Sequence, residues 1–202
     1  MLDADDVEAC EVEGIATYCA AGLDPERAAP IATVCRGLGW QAPRAERSLP
    51  REALSGVLHG EVVIRYRAGI SAPRARFICA HEAAHRRRRD HHGSHALVEA
   101  RADLLGACLL VPRPAFERAV GRFGHSIYDL AHALGITQAA ALLRLGEVMG
   151  RPVKLLGRTP RERGAEFGWA GIDTTRALRG ELRKIVHPIK LRDEGKWGLM
   201  SA

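Results

Sequence analysis

Three side chains in one short stretch have the types and spacing for hydrolytic chemistry. His81, Glu82 and His85 stand in Phe77-Ile78-Cys79-Ala80-His81-Glu82-Ala83-Ala84-His85, an H-E-x-x-H pattern within helix-forming residues. On a helix, residues four apart lie on one face, so His81 and His85 can aim ring nitrogens at one metal ion. Zinc takes imidazole nitrogen at about 2.0–2.1 Å and favours four ligands in a tetrahedron. Glu82, beside the first histidine, can reach a water on that metal without ligating it. The metal would acidify the water and polarise a scissile carbonyl, while the carboxylate takes the proton. The same five letters also arise on ordinary surface helices. Here the flanking Phe77 and Ile78, and the small Ala83 and Ala84, mark a helix packed into a core instead.

A catalytic zinc needs a third protein ligand and one open position. Several residues could supply the ligand. His91 follows His85 at the metzincin spacing, but Arg88 stands where that class has its turn-making glycine. Asp90, His92 and His95 also lie close in sequence, and Glu99 follows on the next helix-forming segment. On a helical wheel Leu97, Leu104 and Cys108 form one stripe, with Glu99 nearly opposite and Leu110 on its side. That arrangement suits a helix sandwiched between two layers.

The elements that must position these groups are legible to different degrees. Residues 3–21 read as a helix with Val7, Cys10, Gly14, Ile15, Tyr18 and Cys19 along one face. Asp24-Pro25-Glu26 reads as the start of a second helix running to about Gly37 or Gly39. Residues 40–48 read as a loop and 49–58 as a short helical turn. Glu61–Arg67, rich in β-branched residues, is the clearest strand, and Pro73 opens the H-E-x-x-H helix. Further helices are expected over 95–110 and 114–123, then a helix-turn-helix-like pair over 129–145. A DNA-reading second helix needs exposed polar side chains at its start. Gln138 offers one, but Ala139, Ala140, Ala141, Leu142, Leu143 and Leu145 look like core, which favours a structural pair over nucleic-acid contact. Short strands are expected at 151–156, 185–191 and 196–200.

Composition bounds the class. The 202 residues are 47% hydrophobic and 27% charged, as in a soluble globular protein, and no apolar run reaches membrane-spanning length. The acidic start (Asp3, Asp5, Asp6, Glu8) is unlike a secretory leader, and five cysteines without a C-x-x-C pair suggest buried thiols in a reducing compartment. A cytoplasmic location is expected. The net charge of +6 fits an acidic or nucleic-acid partner without requiring one.

The motifs together resemble a family. Arg74–His85 reads R-x-R-F-x-x-A-H-E-x-x-H; Glu99, Ala102 and Asp103 follow as E-x-x-A-D; Leu109–Pro112 reads L-L-x-P. Downstream, Leu130–Leu145 reads L-A-x-x-L-G-I-T-x-x-A-A-L-x-R-L. This series is similar to the ImmA/IrrE metallopeptidases over roughly residues 5–150. The resemblance implies an α+β fold: a mostly helical, zincin-like (minigluzincin) domain with a small twisted sheet. That domain would occupy residues 1–157, including the helix pair at 126–149, with a basic, β-containing C-terminal extension over 158–202. It implies one zinc held by His81, His85 and Glu99, with Glu82 as general base and Asp103 orienting a ligand histidine. It also implies a cytoplasmic protein substrate, usually a helix-turn-helix repressor, and no membrane partner. The alternative is a regulatory protein of the same fold that binds DNA or a protein without cleaving it. Where the family continues with apolar residues after the second histidine, this chain has Arg86–Arg89. Those arginines must face water or line a groove for acidic substrate, and Arg88, on the face of His81 and Ala84, is the groove candidate.

Overall fold

A computed structural model describes residues 4–90 and 96–148. The strands expected at 151–156, 185–191 and 196–200, the basic extension, and His91, His92 and His95 lie outside these residues. The chain order is α1 (Ala4–Ala20), α2 (Ile31–Gly37), β1 (Arg44–Glu46), β2 (Ala53–Leu58), β3 (Glu61–Arg67), α3 (Ala72–Arg88), α4 (Ala96–Leu110), α5 (Arg113–Phe123), α6 (Ile127–Leu134) and α7 (Gln138–Val148). The fold is α+β and mostly helical, as a zincin-like domain should be, with one three-stranded sheet.

The sheet is ordered β1-β3-β2, with β1 parallel and β2 antiparallel to β3. Ser55 pairs with Ile64 and Leu58 with Glu61 across a tight turn at His59 and Gly60, both at positive φ. Two short stretches therefore differ from expectation. Residues 49–58 do not make a helical turn, because an X-Gly pair at 59–60 followed by a β-branched run closes a hairpin. Residues 40–48 are not all loop, since Arg44–Glu46 takes up the remaining edge of β3. A third correction concerns Asp24. Its carboxylate accepts from the Glu26 backbone N–H at 2.9 Å, a local turn, and α2 starts only after Pro30. Proline drives the preceding residue away from helical backbone, so no helix runs through that point.

The centre of the fold is α3. Every residue from Phe77 to His85 is buried, so this helix has no solvent face over about two and a half turns. One side meets α4 and the other meets β2 and β3. Arg76 donates to the Gly135 carbonyl at 2.9 Å, tying α3 to the turn between α6 and α7. A Cβ on Gly135, at φ +60°, would run into the Arg76 guanidinium. α7 buries Ala139, Ala140, Ala141, Leu142 and Leu145, so the α6–α7 pair is part of the core.

The second sandwiching layer is real: α4 packs between α3 and α1. Its Cys108 faces α1, where a Cβ added to Gly14 would lie 2.7 Å from the Cys108 Cβ. Gly106 faces α3, and a Cβ there would lie 2.9 Å from the His81 backbone nitrogen and 3.1 Å from the Ala80 carbonyl carbon. Those neighbours are backbone and cannot swing aside. Gly106→Ala must therefore push the helices apart, with an expected loss of about 1–3 kcal/mol of stability, typical of overpacking. Urea unfolding of the metal-free protein measures it; wild-type stability in the variant would contradict the close approach.

Candidate metal centre

The contact between α3 and α4 brings four polar side chains into one buried place. From α3 come His81 and His85, one turn apart with their rings edge to face. From α4 come Glu99 and Asp103, also one turn apart, on the same flank as Gly106. The His81 and His85 Nε2 atoms are 3.0 Å apart. Glu99 Oε2 is 3.4 Å from His81 Nε2, and Glu99 Oε1 is 3.6 Å from His85 Nε2. For ligands at about 2.0–2.1 Å in a tetrahedron, neighbouring donor atoms lie about 3.3 Å apart. The three separations scatter around that value, so the donor set fits a zinc-sized cation.

Asp103 Oδ1 lies 2.8 Å from His81 Nδ1. An ionised carboxylate only accepts, so Nδ1 carries the hydrogen and Nε2 turns its lone pair toward Glu99 and His85. This is how a ligating histidine is commonly oriented from behind. Glu99, half-buried and opposite the apolar stripe of its own helix, faces α3 because α4 packs on both sides. The stripe through Cys108 serves α1 instead.

Glu82 is buried beside the donor set, and its Oε2 accepts from the Ser55 hydroxyl at 2.6 Å. Ser55 in turn accepts from Arg86 Nε at 3.1 Å, and its carbonyl accepts from Arg86 Nη2 at 3.1 Å. Sequence reasoning missed Ser55, because it lies on the strand that was expected to be helical. The His59-Gly60 pair directly before the β-branched run of β3 is the signal that would have found it.

Three of the four arginines after His85 reach a partner, and Arg87 and Arg89 are exposed. Arg86 reaches β2, and Arg87 Nε donates to Thr17 Oγ1 at 3.3 Å. Arg88 Nε donates to Glu13 Oε2 at 2.9 Å, and Nη2 lies 3.2 Å from Cys10 Sγ. Arg88, expected to line a substrate groove, is thus committed to α1, where a carboxylate meets its charge. Arg89 ends the helix in left-handed backbone at φ 58°. Asp90 is placed but takes no part in the donor set.

None of the five cysteines is disulfide-bonded; four are buried, and Cys19, expected to be buried too, is exposed. Burial pushes the Cys79 thiol up to about 12, with Cys35 and Glu82 adding to the shift, so it is a neutral core side chain.

A second group of donors, Glu11, Cys108 and Glu147, also comes within 4.8 Å, but its cation is already supplied. The fully buried Arg144 sits there, with Nη1 2.6 Å from Glu11 Oε1 and 3.2 Å from Cys108 Sγ, and also pairs with Glu147. Two buried carboxylates share one guanidinium. Burial, reinforced by Glu11 and opposed by Arg144, raises Glu147 to about 7.

A buried pair of helix-borne histidines, a carboxylate from the neighbouring helix and an adjacent glutamate define a metallopeptidase-type site. Residues 47–146 match the model of the family described as IrrE N-terminal-like domain, a peptidase family. The chain belongs to the ImmA/IrrE family. No curated protein matches it.

Two outcomes follow. Asp103→Asn should weaken the binding of a divalent cation at this donor set about 10–100-fold by unfixing the His81 ring. Competition with a chromophoric chelator reads this, and unchanged affinity would remove Asp103 from the centre. Separately, Glu147 binds its proton more tightly in the fold than in the unfolded chain. Its contribution is complete below about pH 4.5 and is lost as pH rises through about 7, on the order of 3 kcal/mol. Denaturation of wild type against Glu147→Gln across that window should show the loss only in wild type.

Proposed function

We propose that the chain is a zinc-dependent endopeptidase, with His81, His85 and Glu99 as metal ligands and Glu82 as general base. The observation that carries this reading is the donor triangle of 3.0, 3.4 and 3.6 Å with Glu82 buried beside it. Zinc bound there would polarise the scissile carbonyl and acidify the attacking water. The chain's own residues supply the rest. Asp103 fixes the His81 tautomer. Glu82 takes the proton from the water and returns it to the leaving amine.

The substrate reading is a cytoplasmic protein, with a helix-turn-helix transcriptional repressor the class the family resemblance suggests. Its support on the chain is β2, which pairs with β3 on one side and carries exposed Leu54, Val57 and Leu58 next to Ser55. An extended peptide can add to such a strand through backbone hydrogen bonds. Five free cysteines suit a reducing compartment, and no helix among the described residues is long and apolar enough to cross a membrane. The 1–157 division with a basic extension after it fits a described core that runs through α7. The DNA-binding alternative loses support from α7, whose Ala139–Leu142 run is buried where a base reader needs exposed polar groups.

Glu82→Gln separates cleavage from binding. The variant should keep wild-type zinc content and thermal stability while losing at least about 100-fold in peptide hydrolysis, since general-base catalysis contributes that much or more. Plasma emission spectrometry and a quenched-peptide assay read the two. Equal hydrolysis by variant and wild type would end the peptidase reading.

A further inference from the structure

Glu82 and Arg86 are four residues apart on α3, the spacing at which a carboxylate and a guanidinium commonly pair. Here the guanidinium instead reaches across to β2. Arg86 Nε donates to Ser55 Oγ at 3.1 Å and Nη2 to Ser55 O at 3.1 Å, while Ser55 Oγ donates to Glu82 Oε2 at 2.6 Å.

The direction of this chain is forced by chemistry. Arginine has donors and no acceptor, so it must give a hydrogen to the serine oxygen. The serine then has its single hydrogen left for the carboxylate, which only accepts. A hydrogen bond to an ionised oxygen is short and strong, as the 2.6 Å separation is. The backbone on both sides is held as well. Ser55 pairs with Ile64 inside the sheet, and Ile64 is fully buried. Glu82 lies in the buried stretch of α3. The serine occupies Oε2, leaving Oε1 for proton transfer, and it keeps the guanidinium off the carboxylate.

We propose that Ser55 is a positioning residue for Glu82: it fixes the orientation of the general base from the sheet, with Arg86 setting the direction of its hydroxyl. The contact stands on geometry alone; its consequence for catalysis rests on the peptidase reading above. Ser55→Ala removes the hydroxyl and frees Arg86 to collapse onto Glu82. Ser55→Thr keeps a hydroxyl on a β-branched residue suited to a strand.

The test has two readouts on the full chain. In metal-free protein carrying carbon-13 in its glutamate carboxyls, the Glu82 resonance is the one lost in Glu82→Gln. It should shift in Ser55→Ala and return toward wild type in Ser55→Thr. In zinc-loaded protein, on one quenched peptide selected for cleavage by wild type, Ser55→Ala should lower kcat about 10–100-fold. KM, zinc content and melting temperature should stay near wild type, and Ser55→Thr should restore most of kcat. A Glu82 resonance unmoved in Ser55→Ala overturns the contact. A shifted resonance with wild-type kcat overturns the positioning role. If wild type cleaves nothing while the resonance responds, the peptidase reading falls and the contact stands.

Discussion

Everything at the site depends on how closely α4 approaches α3. Gly106 permits the contact, because any side chain there would meet the backbone of Ala80 and His81. The same flank of α4 carries Glu99 and Asp103, spaced so that one reaches the Nε2 edge of the histidines and the other reaches Nδ1 of His81. Backbone fit and donor geometry are therefore one constraint. A helix pair held farther apart would leave two buried histidines, a buried aspartate and a half-buried glutamate without the separations that suit a tetrahedral cation.

Burying that much polarity has to be offset. The fold does so by giving nearly every interior charge a specific partner. Asp103 takes the hydrogen of His81, Ser55 caps Glu82, and Arg144 serves Glu11, Cys108 and Glu147 at once. The arginines after His85 follow the same rule. Arg86 is fixed by β2 and Arg88 by Glu13, welding α3 to the sheet and to α1, while Arg87 and Arg89 face water as part of the run was expected to. Removing one of the carboxylates from the fully buried Arg144 unbalances a buried charge, which costs more than the pair itself contributes.

The sequence and the structure agree where a local pattern decides and part where a distant partner does. The H-E-x-x-H helix was legible because both its spacing and its apolar flanks are local. β3 was legible from its β-branched run. Glu99 was not legible from its own helix, because periodicity points it away from the apolar stripe and only the second neighbour of α4 explains why that side is also buried. β2 was hidden because Ala53-Leu54-Ser55-Gly56 has little strand character, and its conformation comes from pairing with β3. Ser55 was lost with it. The misplaced start of α2 has a local cause that was visible: Pro30 lies inside the proposed helix. The fate of Arg86–Arg89 depends on Thr17, Glu13 and Ser55, between 31 and 75 residues away in sequence, and no reading of the run itself could supply those partners.

The central claim is a zinc held by two imidazoles from α3 and the Glu99 carboxylate from α4. Zinc-edge X-ray absorption of the reconstituted full chain counts the imidazoles and identifies the light-atom donors directly. The account predicts two imidazoles and oxygen donors at about 2.0–2.1 Å. A third imidazole, or a sulfur shell at about 2.3 Å, would contradict it.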